Sequence, residues 1–121
     1  MVFQDETPGA VVIWHNPACG TSRAVLAAIR TAGIEPAVVE YLTTPPARAD
    51  LVEAIAAAGL TPRSAARAKE KLFAELGLSE ASDEQILDAM IRHPVLINRP
   101  FVFAPRGVRL CRPAETVQDV L

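Results

Sequence analysis

The sequence predicts an α/β domain: a small mixed β-sheet of about four strands flanked by helices, with an all-helical insertion between its second and third strands. Three observations predict it. A strand, a helix and a second strand follow one another in the first third of the chain. The middle carries only helical patterns. Two strands joined by a tight turn then return, with a final helix after them. The 121 residues suit one domain, with residues 1–9 as a loose extension, 10–42 and 95–121 as the sheet-bearing core, and about 43–94 as the helical insertion. At this length roughly two thirds of the unfolded chain's surface can be buried, so a core needs no disulfide or metal.

Ala10-Val11-Val12-Ile13-Trp14 is a continuous apolar run, as expected of a strand buried on both faces. His15-Asn16-Pro17-Ala18 breaks it. A helix follows from about Gly20, because Val25, Ala28, Ile29 and Ala32 recur at helical spacing, and Gly33 stops it. Ala37 to Leu42 reads as the second strand. Two strands joined through a helix are expected to run parallel. Thr43-Thr44-Pro45-Pro46 leads into a helix bearing Leu51, Ala54, Ile55 and Ala58, ended by Gly59. A short helix over Pro62–Arg67 and one or two turns over Lys71–Leu76, ended by Gly77, come next. Ser82 and Gln85 have capping-box spacing and open a helix carrying Ile86, Ala89 and Met90, which ends near His93-Pro94. Phe101–Ala104 and Val108–Cys111 are strands, with Pro105-Arg106-Gly107 as the turn between them. Pro113 starts the last helix. This order is compatible with a thioredoxin-like sheet bearing a helical insertion, and periodicity alone also allows other small α/β folds.

Half of the residues are hydrophobic and 21% are charged, which excludes intrinsic disorder. No apolar run reaches the roughly 18 residues of a membrane span. The acidic start MVFQDETPGA does not read as a signal peptide. Two distant cysteines, Cys19 and Cys111, exclude a disulfide scaffold and a cysteine-rich zinc site, and suggest a reducing, cytoplasmic compartment. No metal site is expected. The net charge of −2 hides an asymmetry: ten arginines accompany only two lysines, and Ala89 to Ala114 holds five of those arginines with no acid. The 21 alanines point to genome composition as one source of that bias. A focused anion site is the other, because the planar guanidinium fork matches oxyanions. A nucleic-acid surface would make the whole domain basic and would supply more than 5% aromatic residues.

The informative segment is His15-Asn16-Pro17-Ala18-Cys19-Gly20-Thr21-Ser22-Arg23. It places a cysteine where a strand has ended and a helix begins. Unpaired backbone N–H groups and the positive end of the helix dipole favour a thiolate there. The same N–H groups, at Gly20 and Thr21, suit a tetrahedral oxyanion. Ser22 can donate to the sulfur, and His15 can add positive charge. Free cysteines are more often small buried hydrophobes, but Asn-Pro before Cys19 and Gly-Thr-Ser after it are not core packing residues. Position 22 is serine, so there is no Cys-x-x-Cys dithiol. Val25 stands where a phosphatase loop needs arginine. What remains is a single nucleophilic thiolate beside an oxyanion pocket whose cations come from elsewhere in the chain.

These residues resemble the glutaredoxin-dependent arsenate reductases, the ArsC family. The resemblance runs from about Val11 to Leu121. It includes the Cys19 segment, Tyr41-Leu42 followed by Pro45-Pro46, Arg63 and Arg67, Leu76-Gly77-Leu78, His93-Pro94, Leu96-Ile97-Asn98-Arg99-Pro100 and Arg109-Leu110-Cys111-Arg112-Pro113. It implies a thioredoxin-like fold with a helical insertion. It also implies Cys19 as the nucleophile towards arsenate, Arg67, Arg99 and Arg112 as the oxyanion-holding arginines, His15 and Ser22 as residues that lower the thiol pKa, and a cis-proline at Pro100. The implied partners are arsenate, glutathione as co-substrate and glutaredoxin. No tightly bound cofactor is implied, and a monomer is expected. The chain departs from the family pattern at Ala68, where a lysine or similar polar residue is usual, and in a slightly shorter loop around Ser79-Glu80-Ala81. Cys111 has two readings, a strand cysteine without redox role or a resolving thiol for Cys19. The alternative function is a thioredoxin-like regulatory or glutathione-binding module without arsenate turnover.

Overall fold

The structure, a computed structural model, describes residues 10–121; the expected extension over residues 1–9 lies outside the described residues. The sheet has four strands in the order β2-β1-β3-β4. β1 is Val12–Trp14, β2 Ala37–Val39, β3 Phe101–Ala104 and β4 Gly107–Leu110. β1 pairs parallel with β2 and antiparallel with β3, and β3 pairs antiparallel with β4. The sheet is therefore mixed, as a helix-connected pair followed by a hairpin requires.

The unbroken apolar run of β1 is explained by two cores, one on each face of the sheet. Val12 and Trp14 face one way, beside Phe101 and Phe103, and join Leu51, Ile55, Ile86 and Met90. Val11 and Ile13 face the other way and join Val25, Ile29, Val102, Cys111 and Val117. Trp14 packs at centroid distances of 5.6 Å from Phe101 and 4.9 Å from Phe103, both tilted, a favourable aromatic arrangement. Helix α1, Gly20–Thr31, covers the second face with Ser22, Val25 and Ile29 buried. Gly33 ends it at φ +84°, a left-handed conformation that glycine adopts without cost.

The segment between β2 and β3 covers the first face. It holds α2 (Arg48–Ala57), α3 (Pro62–Ala65), α4 (Lys71–Glu75) and α5 (Asp83–Arg92). Both halves of the expected capping box are made at α5: Ser82 Oγ accepts from Gln85 N, and Gln85 Oε1 accepts from Ser82 N. A second box, Thr61 with Ser64, opens α3. Arg48 of α2 is more than solvated charge, since it ion-pairs with Glu84 at 2.6 Å and with Asp88, both on α5. Arg63 donates to the carbonyls of Leu78, Ser79 and Ala81 and so closes the short loop around Ser79.

Two expected elements differ. The second strand stops at Val39 rather than Leu42. The Glu40 carbonyl accepts from the backbone N–H groups of Thr43 and Thr44 and from the Thr43 hydroxyl, and this turn drops Tyr41 into the core at 0% exposure. The last helix is a 3-10 segment, Ala114–Asp119. Two further 3-10 turns, Leu78–Glu80 and Pro94–Leu96, had no sequence expectation. The peptide bonds before Pro100 and Pro113 are cis.

Candidate active site

Cys19 is the N-cap of α1, with its backbone extended. The loop that delivers it is tied at several points. His15 N–H donates to the Val39 carbonyl at 2.8 Å, Cys19 N–H to the Asn16 carbonyl at 3.0 Å, and Ala18 N–H to Asn16 Oδ1 at 2.9 Å. Arg23 donates to the Pro17 carbonyl at 2.8 Å from one turn into the helix. Asn16, 6% exposed, thus makes an Asx turn that aims the cysteine. The Asn-Pro pair is the sequence signal for such a turn.

The sulfur sits among cations. Arg112 Nη1 lies 3.8 Å from Cys19 Sγ and donates to the Arg99 carbonyl at 3.0 Å. Burial pushes the Cys19 thiol up, but the Arg99 side chain, the Ser22 backbone N–H and the Arg112 side chain together outweigh it. They lower the pKa from the ordinary 9.0 to about 7. Arg99 Nε and Nη1 are buried without a hydrogen-bond partner among the described residues. Buried donors of a charged group are nearly always paired, so Arg99 presents two donors available to an acceptor.

Arg67 and Arg112 meet on the wall of one pocket, with Ala66, Ala68, Lys69 and Asn98. Arg67 is positioned by its own backbone. Its N–H donates to the Leu96 carbonyl at 2.7 Å, beside an antiparallel bridge between Ala66 and Ile97. Tyr41 connects the groups. Burial raises its pKa, and its phenol is sensed by Arg99, Asn16, Cys19 and Arg67. Its hydroxyl is 3.5 Å from the Ile97 carbonyl. In the sequence Tyr41 belongs to the expected strand and to the family resemblance, and nothing local marks a tyrosine that a turn redirects towards the site.

His15 and Ser22 form a pair rather than two separate activators. His15 Nδ1 is 2.7 Å from Ser22 Oγ, which also accepts from Asn16 N–H at 3.0 Å. Burial lowers the His15 pKa from its ordinary 6.5, against a raising effect from Glu40 and with lowering ones from Arg30 and Arg23, so the surroundings disfavour the positive charge expected there. Ser22 acts on the sulfur through its backbone N–H, while its hydroxyl is held by His15 and Asn16. Gly20 and Thr21 occupy the first two helical positions, where N–H groups lack intrahelical acceptors. A Cβ on Gly20 would meet Arg23 at 3.7 Å, ordinary contact, so space does not demand glycine there.

Cys111 belongs to neither wall of this site. It is 0% exposed in the core beneath α1. Burial pushes its thiol up to about 11, against lowering effects from Thr116 and Arg109. Both cysteines are free.

The ArsC family model matches residues 14–120. The chain belongs to the ArsC family. Among relatives of this ArsC chain, an arsenate reductase of Rhizobium meliloti (strain 1021) is 66% identical over 113 residues, which are 92% of this chain and 81% of that protein. An arsenate reductase of Escherichia coli (strain K12) is 49% identical over 113 residues, 92% of this chain and 80% of that protein. The solved structure of an arsenate reductase from Vibrio cholerae superposes with a TM-score of 0.88 at 41% identity, covering 93% of this chain and 98% of that one. The four-stranded mixed sheet with its helical insertion is thus the thioredoxin-like architecture of ArsC proteins. No helix among the described residues is long and apolar enough to cross a membrane.

Proposed function

We propose that this ArsC chain is an arsenate reductase that uses Cys19 as its nucleophile and glutathione with glutaredoxin as reductants. The observation that carries the reading is Cys19 itself. Its thiol is held near pKa 7, with Arg112 Nη1 at 3.8 Å and the partnerless buried donors of Arg99 beside it. Relatives of high identity are arsenate reductases.

In the first step the Cys19 thiolate attacks the arsenic of arsenate. A sulfur–arsenic bond forms, an arsenic–oxygen bond breaks, and the oxygen leaves as water after protonation. Arg99, Arg112 and Arg67 offset the oxyanion's charge and the charge that builds during attack. Gly20 and Thr21 N–H groups, at the positive end of α1, serve the same charge. Glutathione then displaces a second oxygen through its thiol. A glutaredoxin thiolate attacks the glutathione sulfur and leaves with it as a mixed disulfide, and the sulfur–arsenic electron pair stays on arsenic, which becomes As(III). Water releases arsenite and restores Cys19. The two electrons come from external thiols, so Cys19 needs no resolving neighbour and Cys111 needs no redox role. This chemistry belongs in a reducing compartment, the cytoplasm. It calls for no tightly bound cofactor and no second protomer.

The test is NADPH consumption with arsenate, glutathione reductase, glutathione and glutaredoxin. Wild type turns over and Cys19→Ser does not, and mass spectrometry after arsenate shows an adduct on the Cys19 peptide alone. Equal NADPH consumption by the two proteins would sink the proposal.

A further inference from the structure

The wall of the site that carries Arg67 and Arg112 holds a third cation, which the attack on arsenate does not use. Ala66, Arg67, Ala68, Lys69, Asn98 and Arg112 line an open pocket of about 240 Å³. Its charged lining is all basic. Among the described residues, only Arg67 of the three cations has an acidic partner, Glu70 at 3.8 Å. The pocket's base is stiff. Arg67 N–H donates to Leu96 and Asn98 N–H to Ala65, at 2.7 and 2.9 Å, across the Ala66–Ile97 bridge. Arg112 joins the pocket to the chemistry, because the guanidinium that lines it also lies 3.8 Å from the Cys19 sulfur. The pocket and the Cys19 sulfur thus share one guanidinium, which puts a ligand in this pocket next to the reacting thiol's neighbour.

We propose that this pocket binds a carboxylate of the tripeptide thiol co-substrate, with Lys69 as the binding residue, and so presents its thiol to the arsenic held on Cys19. The inference rests on the reading of the protein as a glutathione-using arsenate reductase. The pocket shares Arg67 and Arg112 with the oxyanion position, and two observations distinguish the rest of it. The buried, partnerless donors belong to Arg99, which is absent from the pocket lining. Lys69 is solvent-exposed, a hydrated point charge on a flexible stem, which suits a carboxylate that must arrive and leave each cycle better than an intermediate held through chemistry.

The experiment compares glutathione with its diethyl ester, which has the same thiol and no carboxylate. Protein carrying the Cys19 adduct is mixed with each thiol without glutaredoxin, and conversion of the adduct to its thiol-bearing form is followed by mass spectrometry. Wild type consumes the adduct faster with glutathione. Lys69→Ala reduces that preference about threefold and Lys69→Glu about tenfold at low salt, with the difference shrinking at high salt, the size expected of an exposed ion pair and of its reversal. Lys69→Arg keeps the preference. In steady state the KM for glutathione rises in Lys69→Glu while the KM for arsenate stays within about twofold, since the lysine lies outside the Arg99 contact. Equal preference in wild type and Lys69→Glu overturns the proposal, and so does a change in arsenate KM instead of glutathione KM. Absence of any Cys19 adduct in wild type would instead overturn the underlying arsenate reductase reading.

Discussion

Removing the charge at Arg99 separates the electrostatic account of Cys19 from a purely local one. The Arg99 side chain is the largest influence favouring the thiolate, ahead of the Ser22 N–H and Arg112, and burial opposes all three. With a pKa of about 7, half of Cys19 is thiolate at pH 7. A neighbouring cation is worth about one pH unit or more, so Arg99→Met moves the titration midpoint to about 8 or higher. The thiolate fraction at pH 7 then falls about fivefold. Rate at a single pH is a poor measure, because each unit of added basicity makes the remaining thiolate about threefold more nucleophilic. The assay is therefore iodoacetamide alkylation of Cys19 across pH 5 to 10, on the order of ten points, with circular dichroism as the check on folding. The expected result is a midpoint displaced upwards and a high-pH plateau that is faster. A midpoint still at about 7 in Arg99→Met would refute the reasoning and leave the helix N-terminus as the activating element.

Three further outcomes are expected. Each orphaned Arg99 donor costs about 1–3 kcal/mol, so Arg99→Met melts no lower than wild type without anion, while sulfate or arsenate raises the melting temperature of wild type only; an equal anion response in both proteins would remove Arg99 from the site. Cys111→Ala keeps full arsenate turnover and loses about 1 kcal/mol of stability in urea, because its thiol is buried, held in the protonated form and serves only packing; lost turnover with adduct formation retained would make it a resolving thiol. Between about pH 7 and 9 the unfolded Cys19 thiol keeps a proton that the folded one has released, so this group adds stability as pH rises and loses it as pH falls through 7. Urea midpoints at the two ends of that window check it, and Cys19→Ser flattens the difference.

The legible features were those whose causes are local. The capping box at Ser82 and Gln85 is a contact across three residues, and it forms as read. α1 starts at Gly20 and stops before Gly33 for reasons confined to its own turns. The end of β2 was not legible, because apolar residues continue past Val39 and the turn at Glu40 is made by its carbonyl, not by a side-chain signature. Tyr41 and the Arg48 ion pairs to α5 followed the same rule: each joins segments tens of residues apart.

The sequence by itself pointed to the kind of fold and to Cys19 as the candidate nucleophile. Apolar runs, helix signals and a cysteine between a broken strand and a helix start are local and periodic, and periodicity depends only on backbone geometry. The arginine excess was visible there too, but not its division. Only the tertiary structure decided that Arg99 and Arg112 converge on Cys19, that Arg67 shares a pocket wall with Arg112 beside the Ala66–Ile97 bridge, that Arg23, Arg48 and Arg63 brace loops and helices, and that Cys111 is sealed beneath α1. It also paired His15 with Ser22 in surroundings that disfavour a charged ring. Charge, burial and pKa depend on which distant groups come within a few ångströms and how much water they exclude, and these are properties of the packed chain rather than of any segment.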